Sequence, residues 1–565
     1  MNRRSFIVST SAAVLGTLSQ TRAKNERAND RLGKNEMSAD VVIVGGGLGG
    51  CAAALAALRN GLTVVMTEQT DWIGGQLTSQ AVPPDEHQWI ESHGCTASYR
   101  LVRNGIRDYY RRHYPLTEAA RAIPSLNPGD GAVSRLCHEP RVAVAVLEAL
   151  LAPYVSQGKL RLMLETRPIS AELTEDVVRT VKLRDLRNGR ERVLTAPFFI
   201  DATELGDLLP LTKTEFVTGA EGRDHTGELH APEKAAPDNQ QAFTMCLAMD
   251  YDPLREHLID KPREYEFWRA FVPHLRPAWP GRLLDLTYTH PPTLKPRTLG
   301  FDPVGETSGT LNLWKYRRLI SRKNFLRDTY MGDSSLVNWP QNDYFLGNLV
   351  GVSEREQQRH IERATQLSLS LLYWLQTEVP RADGKQGWPG LRLRGDLLGS
   401  STGVAKYPYV RESRRIRAEF TILEQHVGLK ARSQLTGVPE AEVRAEQFRD
   451  TVGIGSYPID LHPTTSGDNY IDFQTRPFQI PLGALLPLRI NNLLPACKNI
   501  GTTHVTNGCY RLHPVEWNIG EASGLLAAFA LRKRMVPRGV RADSKLLREF
   551  QEWIRAQGIE THWST

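Results

Sequence analysis

Val41-Val42-Ile43-Val44-Gly45-Gly46-Gly47-Leu48-Gly49-Gly50 is the stretch whose reading decides the fold. Four β-branched residues in a row predict a short parallel strand covered on both faces. Gly45, Gly47 and Gly50 then match G-x-G-x-x-G. The first glycine permits a tight turn, the second lets backbone approach a pyrophosphate, and the third lets the next helix pack on the strand. Cys51 to Arg59 is rich in alanine and leucine and predicts that helix, whose N-terminal N–H groups face the phosphates. Leu62 to Thr67 predicts a second strand. Glu68 at its end stands where a carboxylate accepts the hydroxyls of an adenosine ribose. A glycine turn alone is weak evidence, but strand, turn, helix, strand and acid in this order specify a dinucleotide site.

Composition bounds the rest. A chain of 565 residues predicts two or three domains. Its formal charge of +7 falls to +4 without residues 1–23, which carry Arg3, Arg4 and Arg22 and no acid. That excess, with no lysine-rich run or interleaved aromatic stripe, argues against a nucleic-acid partner. The six cysteines are scattered with no C-x-x-C spacing, so neither an iron–sulfur cluster nor a zinc site is expected, and no metal.

Asn2-Arg3-Arg4-Ser5-Phe6-Ile7 resembles a twin-arginine export signal, with Thr21-Arg22-Ala23 as a small-residue cleavage site. A general secretory signal with an accidental arginine pair is the alternative. Residues 1–23 are thus read as a signal peptide and 24–38 as a polar linker, and the expected location is periplasmic or secreted. The apolar run Phe6 to Leu18 is too short to span a bilayer, and no other segment qualifies.

Trp72-Ile73-Gly74-Gly75-Gln76-Leu77-Thr78-Ser79 follows the acid closely. A dinucleotide turn followed by such a Gly-Gly loop resembles flavoproteins of the glutathione-reductase-like class. Within that class the chain is most similar to FAD-dependent oxidoreductases distantly related to fumarate reductase flavoproteins. The resemblance implies FAD as cofactor, with Gly45, Gly47, Gly49, Gly50, Glu68, Gly74, Gly75 and Gln76 among its contacts. It extends to the strand Phe198 to Thr203, whose Asp201, Ala202 and Thr203 match the family's turn beside the adenine half, although Glu204 replaces the usual glycine. It resumes at Asn492 to Gly501, a final strand returning to the cofactor domain, with Asn499 and Gly501 as further contacts. The small-residue helix Val515 to Leu531 would point its N-terminus at the flavin, where the helix dipole favours negative charge. His504, Arg511 and His513, just ahead of that helix, are the expected flavin-proximal residues, and His504 or His513 the expected proton acceptor. The implied fold is α/β: a discontinuous Rossmann-like FAD-binding domain (39–214 and 481–535) with an inserted α+β substrate domain (215–480) and a helical tail (536–565).

Several segments between these blocks hold candidate chemistry. Asp85, Glu86, His87 and His93 lie in a polar, turn-rich stretch, where Asp85, Glu86 or His87 is a candidate general acid or base and His93 a second choice. Tyr99 to Tyr110 predicts an arginine-rich helix, either an anion-facing wall or a solvated face. Glu139 to Val155 predicts another helix, Leu160 to Leu164 a strand, and Arg179 to Leu194 a hairpin about Asn188-Gly189. Asp238 to Asp250 predicts a strand into the inserted domain, and Arg355 to Gln376 a helix. Asn338 to Tyr344, aromatic and amide-rich, suits contact with a sugar or a structural corner. Tyr407 to Ile416 is the densest charge cluster; Arg411 and Arg414 would share a face if helical, either binding an anion or bracing two domains. Tyr457, Asp460 and His462 supply another acid–base set.

No second dinucleotide turn follows a strand, so no dedicated NAD(P)H domain is expected. The predicted function is an exported dehydrogenase or oxidase that takes a hydride and a proton from a small organic substrate, anionic or sugar-like. Electrons would pass to oxygen, a quinone or a redox partner. The alternatives are reduction of an unsaturated acid held by Arg411 or Arg511, and a protein that retains FAD without turnover.

Overall fold

The computed structural model describes residues 35–305, 307 and 309–563, so the expected signal peptide and most of the linker lie outside the described residues. The first described strand, β1 (Glu36–Ser38), falls inside the stretch expected as linker. It is followed by β2 (Val41–Val44), α1 (Leu48–Arg59) and β3 (Val64–Thr67), as the opening stretch predicts. Helices α2 (Ala97–His113) and α3 (Pro140–Ser156) lead to β4 (Leu160–Met163). A meander of β5 (Thr166–Thr174), β6 (Val177–Asp185) and β7 (Glu191–Thr195) then delivers the chain to β8 (Phe198–Asp201). The sequence reading found the hairpin of β6 and β7 but not β5, whose alternating exposure lacks a strong apolar face. β1 joins the meander beside β7, in parallel.

The chain then builds a second core. β9 (Leu247–Tyr251), β10 (Arg318–Ile320), β11 (Ser334–Val337) and β12 (Leu391–Leu393) form an antiparallel sheet in the order β10-β11-β9-β12. Between β11 and β12 runs α4 (Glu354–Thr377), begun by a capping box of Ser353 and Glu356. Its Ala364, Leu367, Leu371, Trp374 and Leu375 join Leu247, Met249 and Val337 in a hydrophobic cluster drawn from residues between 205 and 470. Two short pairs follow: β13 (Thr451–Gly455) with β16 (Phe478–Pro481), and β14 (Ile459–Leu461) with β15 (Ile471–Phe473).

β17 (Leu493–Pro495) closes the first sheet. It is wholly parallel, in the order β17-β8-β2-β3-β4. Helices α5 (His504–Tyr510) and α6 (His513–Lys533) follow, then α7 (Ser544–Ala556). α6 lies on α1 with almost no spacing between backbones. A Cβ at Gly520 would stand 2.0 Å from the Gly49 carbonyl oxygen, and one at Gly524 would stand 2.4 Å from that of Ala53. Glycine is required at these crossings for want of space, not for backbone conformation. Beyond α7, Trp563 packs edge-on against His87 and Trp89, which ties the tail to the loop before α2.

Candidate functional site

Two hollows lie side by side. The first is a crevice at the carboxyl ends of β2, β3 and β8, where ligands of open α/β sheets bind. Gly45, Glu68, Gly75, Ala202, Thr203 and Glu204 line it. Gly45 has φ +100° and Gly75 φ +50°, the left-handed region that glycine enters without strain. Glu68 accepts the N–H of Gly46 at 3.0 Å and of Thr70 at 2.8 Å, and burial pushes its carboxyl up to about 7.

The remaining expected contacts act from behind. Gly50 lets α1 cross β2, since a Cβ there would sit 2.3 Å from the Gly45 carbonyl oxygen. Gly74 holds φ +106° with Leu147 and Thr78 against it. Gln76 donates to the Arg511 carbonyl at 3.0 Å and to Glu516. Asp201 does not line the crevice; it accepts Thr203 N–H at 3.0 Å, Thr203 Oγ1 at 2.7 Å and Leu208 N–H at 3.1 Å, fixing the turn. Asn499 braces that turn by donating to the Asp201 carbonyl at 3.1 Å. Gly501 packs on Ala418 and Phe420, away from the crevice. None of these last three lines the crevice.

The crevice fits a dinucleotide. α1 has no acidic residue in its first turn, and the N–H groups of Gly47 and Leu48 find no acceptor among the described residues. A Cβ at Gly47 would come 3.0 Å from Glu204 Oε1, a buried oxygen without a partner, and one at Gly75 would come 2.6 Å from it. The charge of Glu204 is offset by buried Lys498, which pairs with it and lies 3.7 Å from Glu516.

The second hollow is a cavity of about 220 Å³ against the other core. Three buried arginines line it, each with an aspartate. Arg317 lies 3.2 Å from Asp85, Arg411 lies 2.9 Å from Asp343, and Arg511 lies 3.6 Å from Asp460. Tyr288, Tyr316, Tyr409, Tyr457, Tyr470 and Trp339 supply aromatic walls. His462 Nδ1 stands 2.6 Å from Asp343 Oδ2, while its Nε2 is 3.6 Å from Asp460 Oδ2. Asp343 also accepts Thr244 Oγ1 at 2.7 Å. Burial would raise Asp343 and Asp460, yet Arg411 and His462 hold the first, and His462 and Arg511 the second, below the usual carboxylate range.

Crevice and cavity are joined by the chain itself. Gly75 and Ser79 line the crevice and Asp85 the cavity; Tyr407 lines the crevice and Tyr409 and Arg411 the cavity. The two connecting segments are stitched together by Tyr407 N–H to Ser79 O at 3.1 Å and Val410 N–H to Gln80 Oε1 at 3.4 Å.

The expected catalytic residues divide. Arg411 and Arg511 reach the cavity, each beside an aspartate but with its buried Nε–H unpartnered. His513 is buried at the start of α6, accepts the Asp85 N–H at 3.1 Å and leaves Nε2 without a partner. Burial pushes it down to about 3, so it stays neutral. His504 faces away from the cavity, with Nδ1 on Glu412 at 2.9 Å; burial would lower it, but the Glu412 carboxylate raises it. His87 is also outside both hollows, bonded to the Gly94 carbonyl at 2.9 Å and pushed down to about 4 by burial. Arg411 and Arg414 do not share a helical face: the segment is extended, and Arg414 turns to the Leu205 carbonyl at 2.8 Å. Two arginines of α2, Arg103 and Arg107, form neither a wall nor a solvated face. Arg103 and Arg107 are buried on Glu91, at 2.8 and 2.7 Å.

Of the expected Asn338 to Tyr344 loop, Asn338, Trp339 and Pro340 line the cavity. Tyr457, Asp460 and His462 line it together. Arg317 and Asp472 were not singled out from sequence, and Asp343 only as part of the Asn338 to Tyr344 stretch. No motif surrounds Arg317 or Asp472, whereas the alternation of β14 and β15 would have set Asp472 opposite Asp460.

Buried titratable groups set a pH dependence of stability. Burial raises Glu68, Asp201, Glu228, Asp472 and Glu516 to about 7. Their contribution is complete below the ordinary carboxyl range and is lost as pH rises through about 7. Burial lowers His87 and His138 to about 4 and His513 to about 3, a contribution lost as pH falls below about 6.5. Five carboxyls outweigh three histidines where the windows overlap. The flavin-depleted protein should therefore melt at a higher temperature at about pH 5 than at about pH 8. Calorimetry showing the reverse order contradicts these assignments.

The parallel sheet and glycine crevice define a dinucleotide-binding α/β protein. The family described as FAD dependent oxidoreductase matches residues 40–553, and the chain belongs to it. It is thus an oxidoreductase whose cofactor is FAD. No curated protein matches the chain. Among solved structures, it is similar to the flavin-dependent monooxygenase PieE at 20% identity and TM-score 0.24, over 38% of this chain and 36% of that one. L-proline dehydrogenase from P. horikoshii matches at 16% identity and TM-score 0.17, over 34% and 26%. A geranylgeranyl bacteriochlorophyll reductase-like protein from Thermoplasma acidophilum matches at 10% identity and TM-score 0.30, over 93% and 85%. The chain thus spans well under half the length of the first two. Among the described residues no helix is long and apolar enough to cross a membrane, and no cluster of three or more metal-ligating side chains occurs.

Proposed function

We propose that the protein is a dehydrogenase or oxidase of a small organic molecule, exported by the twin-arginine route, with its substrate in the arginine–tyrosine cavity. One observation carries this reading: the two short segments 75–85 and 407–411 each line both the cofactor crevice and the cavity. FAD, held along the crevice, supplies a two-electron acceptor. The substrate's C–H bond breaks with its electron pair leaving as hydride, its O–H or N–H bond loses a proton, and a C=O or C=N bond forms. His462 takes that proton. Asp343 accepts its Nδ1–H and so leaves Nε2, 3.6 Å from Asp460 Oδ2, as the accepting atom. Buried walls exclude water, and Tyr409, Tyr457 and Arg511 orient the substrate. The electrons then pass to oxygen, a quinone or a redox partner. In this reading residues 215–480 are an inserted substrate domain on a cofactor domain of the glutathione-reductase-like kind.

The test is an anaerobic mixing of the oxidised holoprotein with sugars, hydroxy acids, amines and amino acids. Bleaching of the flavin by one of them, with no added reductant, is the expected result. An oxidised flavin throughout, combined with reoxidation of the reduced enzyme by an unsaturated acid, would reverse the direction of the reaction.

A further inference from the structure

We propose that the cavity takes an uncharged polyhydroxy ring, a single sugar or cyclitol, and not a carboxylate. The inference rests on the reading that the cavity is the substrate site.

Three arginines in a pocket suggest an anion, but here each guanidinium already stands beside an aspartate, and what each has left is one buried Nε–H without a partner. Arg317, Arg411 and Arg511 are buried, and Asp85, Asp343 and Asp460 stand beside them. A carboxylate entering this set must displace an aspartate and leave it buried without its cation, and breaking a buried pair is strongly unfavourable. A cation meets three guanidinium groups against four carboxyl groups, and burial favours the neutral form of one of these, Asp472. The fixed charges nearly cancel, which favours a neutral guest.

What remains uncommitted is hydrogen-bonding capacity of the kind hydroxyls satisfy. Asp472 lines the cavity and has neither a hydrogen bond nor an ion pair among the described residues. It lies directly opposite Asp460 in the β14–β15 pairing, where two like charges side by side are unfavourable unless donors arrive between them. The Asp460 carboxylate is held loosely, with Arg511 and His462 Nε2 each 3.6 Å away. Several O–H donors on one small ring would serve both carboxyl groups. The hydroxyls of Tyr316 and Tyr457 are likewise without hydrogen-bond partners among the described residues. Tyrosine and tryptophan add flat apolar faces with polar edges, which match the C–H faces and hydroxyl rim of a sugar ring. The volume of about 220 Å³ falls below that of pockets for drug-sized ligands, as one ring requires.

The experiment is equilibrium binding to the FAD-loaded protein, read by calorimetry and by perturbation of the visible flavin spectrum. The probes are D-glucose, D-galactose, D-mannose and myo-inositol, against succinate, fumarate and ethanolamine. At least one polyol should bind more tightly than all three charged probes, with affinity nearly unchanged between about 0.02 M and 0.3 M salt. Asp472→Asn should weaken that polyol at least about tenfold with flavin content retained. Tighter binding of succinate, fumarate or ethanolamine, binding of no polyol, or an Asp472→Asn protein with unaltered polyol affinity would each overturn the proposal. Because no turnover is needed, the two readings fail separately. A polyol that binds but leaves the flavin oxidised overturns the oxidation reading alone, and a bleaching carboxylate overturns the polyol.

Discussion

A Gly49→Ala protein is expected to fold poorly and to purify without flavin colour. The added Cβ would lie 1.6 Å from the Ala496 carbonyl oxygen, and 3.2 Å from that of Glu516. The first obstacle is backbone at the end of β17, so no rotamer change relieves it. On the same helix face Gly520 already rests against the Gly49 carbonyl, which prevents α1 from backing away. Overpacking of a core costs typically about 1–3 kcal/mol, and more when backbone must move, so a loss above about 3 kcal/mol is expected. The useful comparison is Gly61→Ala, where a Cβ meets nothing within 4 Å and only the φ of +84° is strained. That variant should keep its flavin and lose about 1 kcal/mol. The pair is judged by thermal midpoint and by visible-to-ultraviolet absorbance ratio. A Gly49→Ala protein as yellow and as stable as the Gly61→Ala protein would refute the packing at this crossing.

His462→Gln should slow reduction of the flavin by substrate about 10²–10⁴-fold, the range for a lost general base. Glutamine can still donate an N–H toward Asp343, so the buried carboxylate keeps a partner, but it offers no nitrogen able to take a proton. Substrate affinity should change far less than the rate, because Asp460, Asp472 and the aromatic walls remain. Anaerobic stopped-flow separates the rate of flavin reduction from the affinity for substrate. A variant within about tenfold of wild type would remove His462 from the chemistry.

The cofactor half of the molecule was legible because its restrictions are local. Gly45 and Gly75 need positive φ, Gly50 needs room for Gly45, and Glu68 ends its strand; each shows in a short window of sequence. Asp201 and Asn499 fall in the same windows, but their side chains brace the turn and do not line the crevice, a distinction no local pattern carries. The cavity was less legible. Arg317, Asp343 and the β14–β15 unit with His462 and Asp472 come from three separated segments, and only tertiary packing makes them neighbours. The Arg411–Arg414 spacing misled for a related reason. Periodicity presumes a helix, but Tyr409 to Arg415 is held extended by pairing with Thr244 and Val217. Histidines beside α6 were judged by chain position, yet His504 turns to Glu412, outside the cavity.

The order of strands in the parallel sheet has a consequence for synthesis. β2, β3, β4 and β8 emerge from the ribosome early, but the position beside β8 stays vacant until β17 is made, near residue 493. Until then β8 presents a bare hydrogen-bonding edge, flanked by Phe198 and Phe199, and bare edges recruit other nascent chains. Translation speed should therefore govern yield. Slower elongation late in the message prolongs the exposed interval and favours aggregates, whereas chaperones that shield the first two hundred residues should raise soluble protein without altering its final stability.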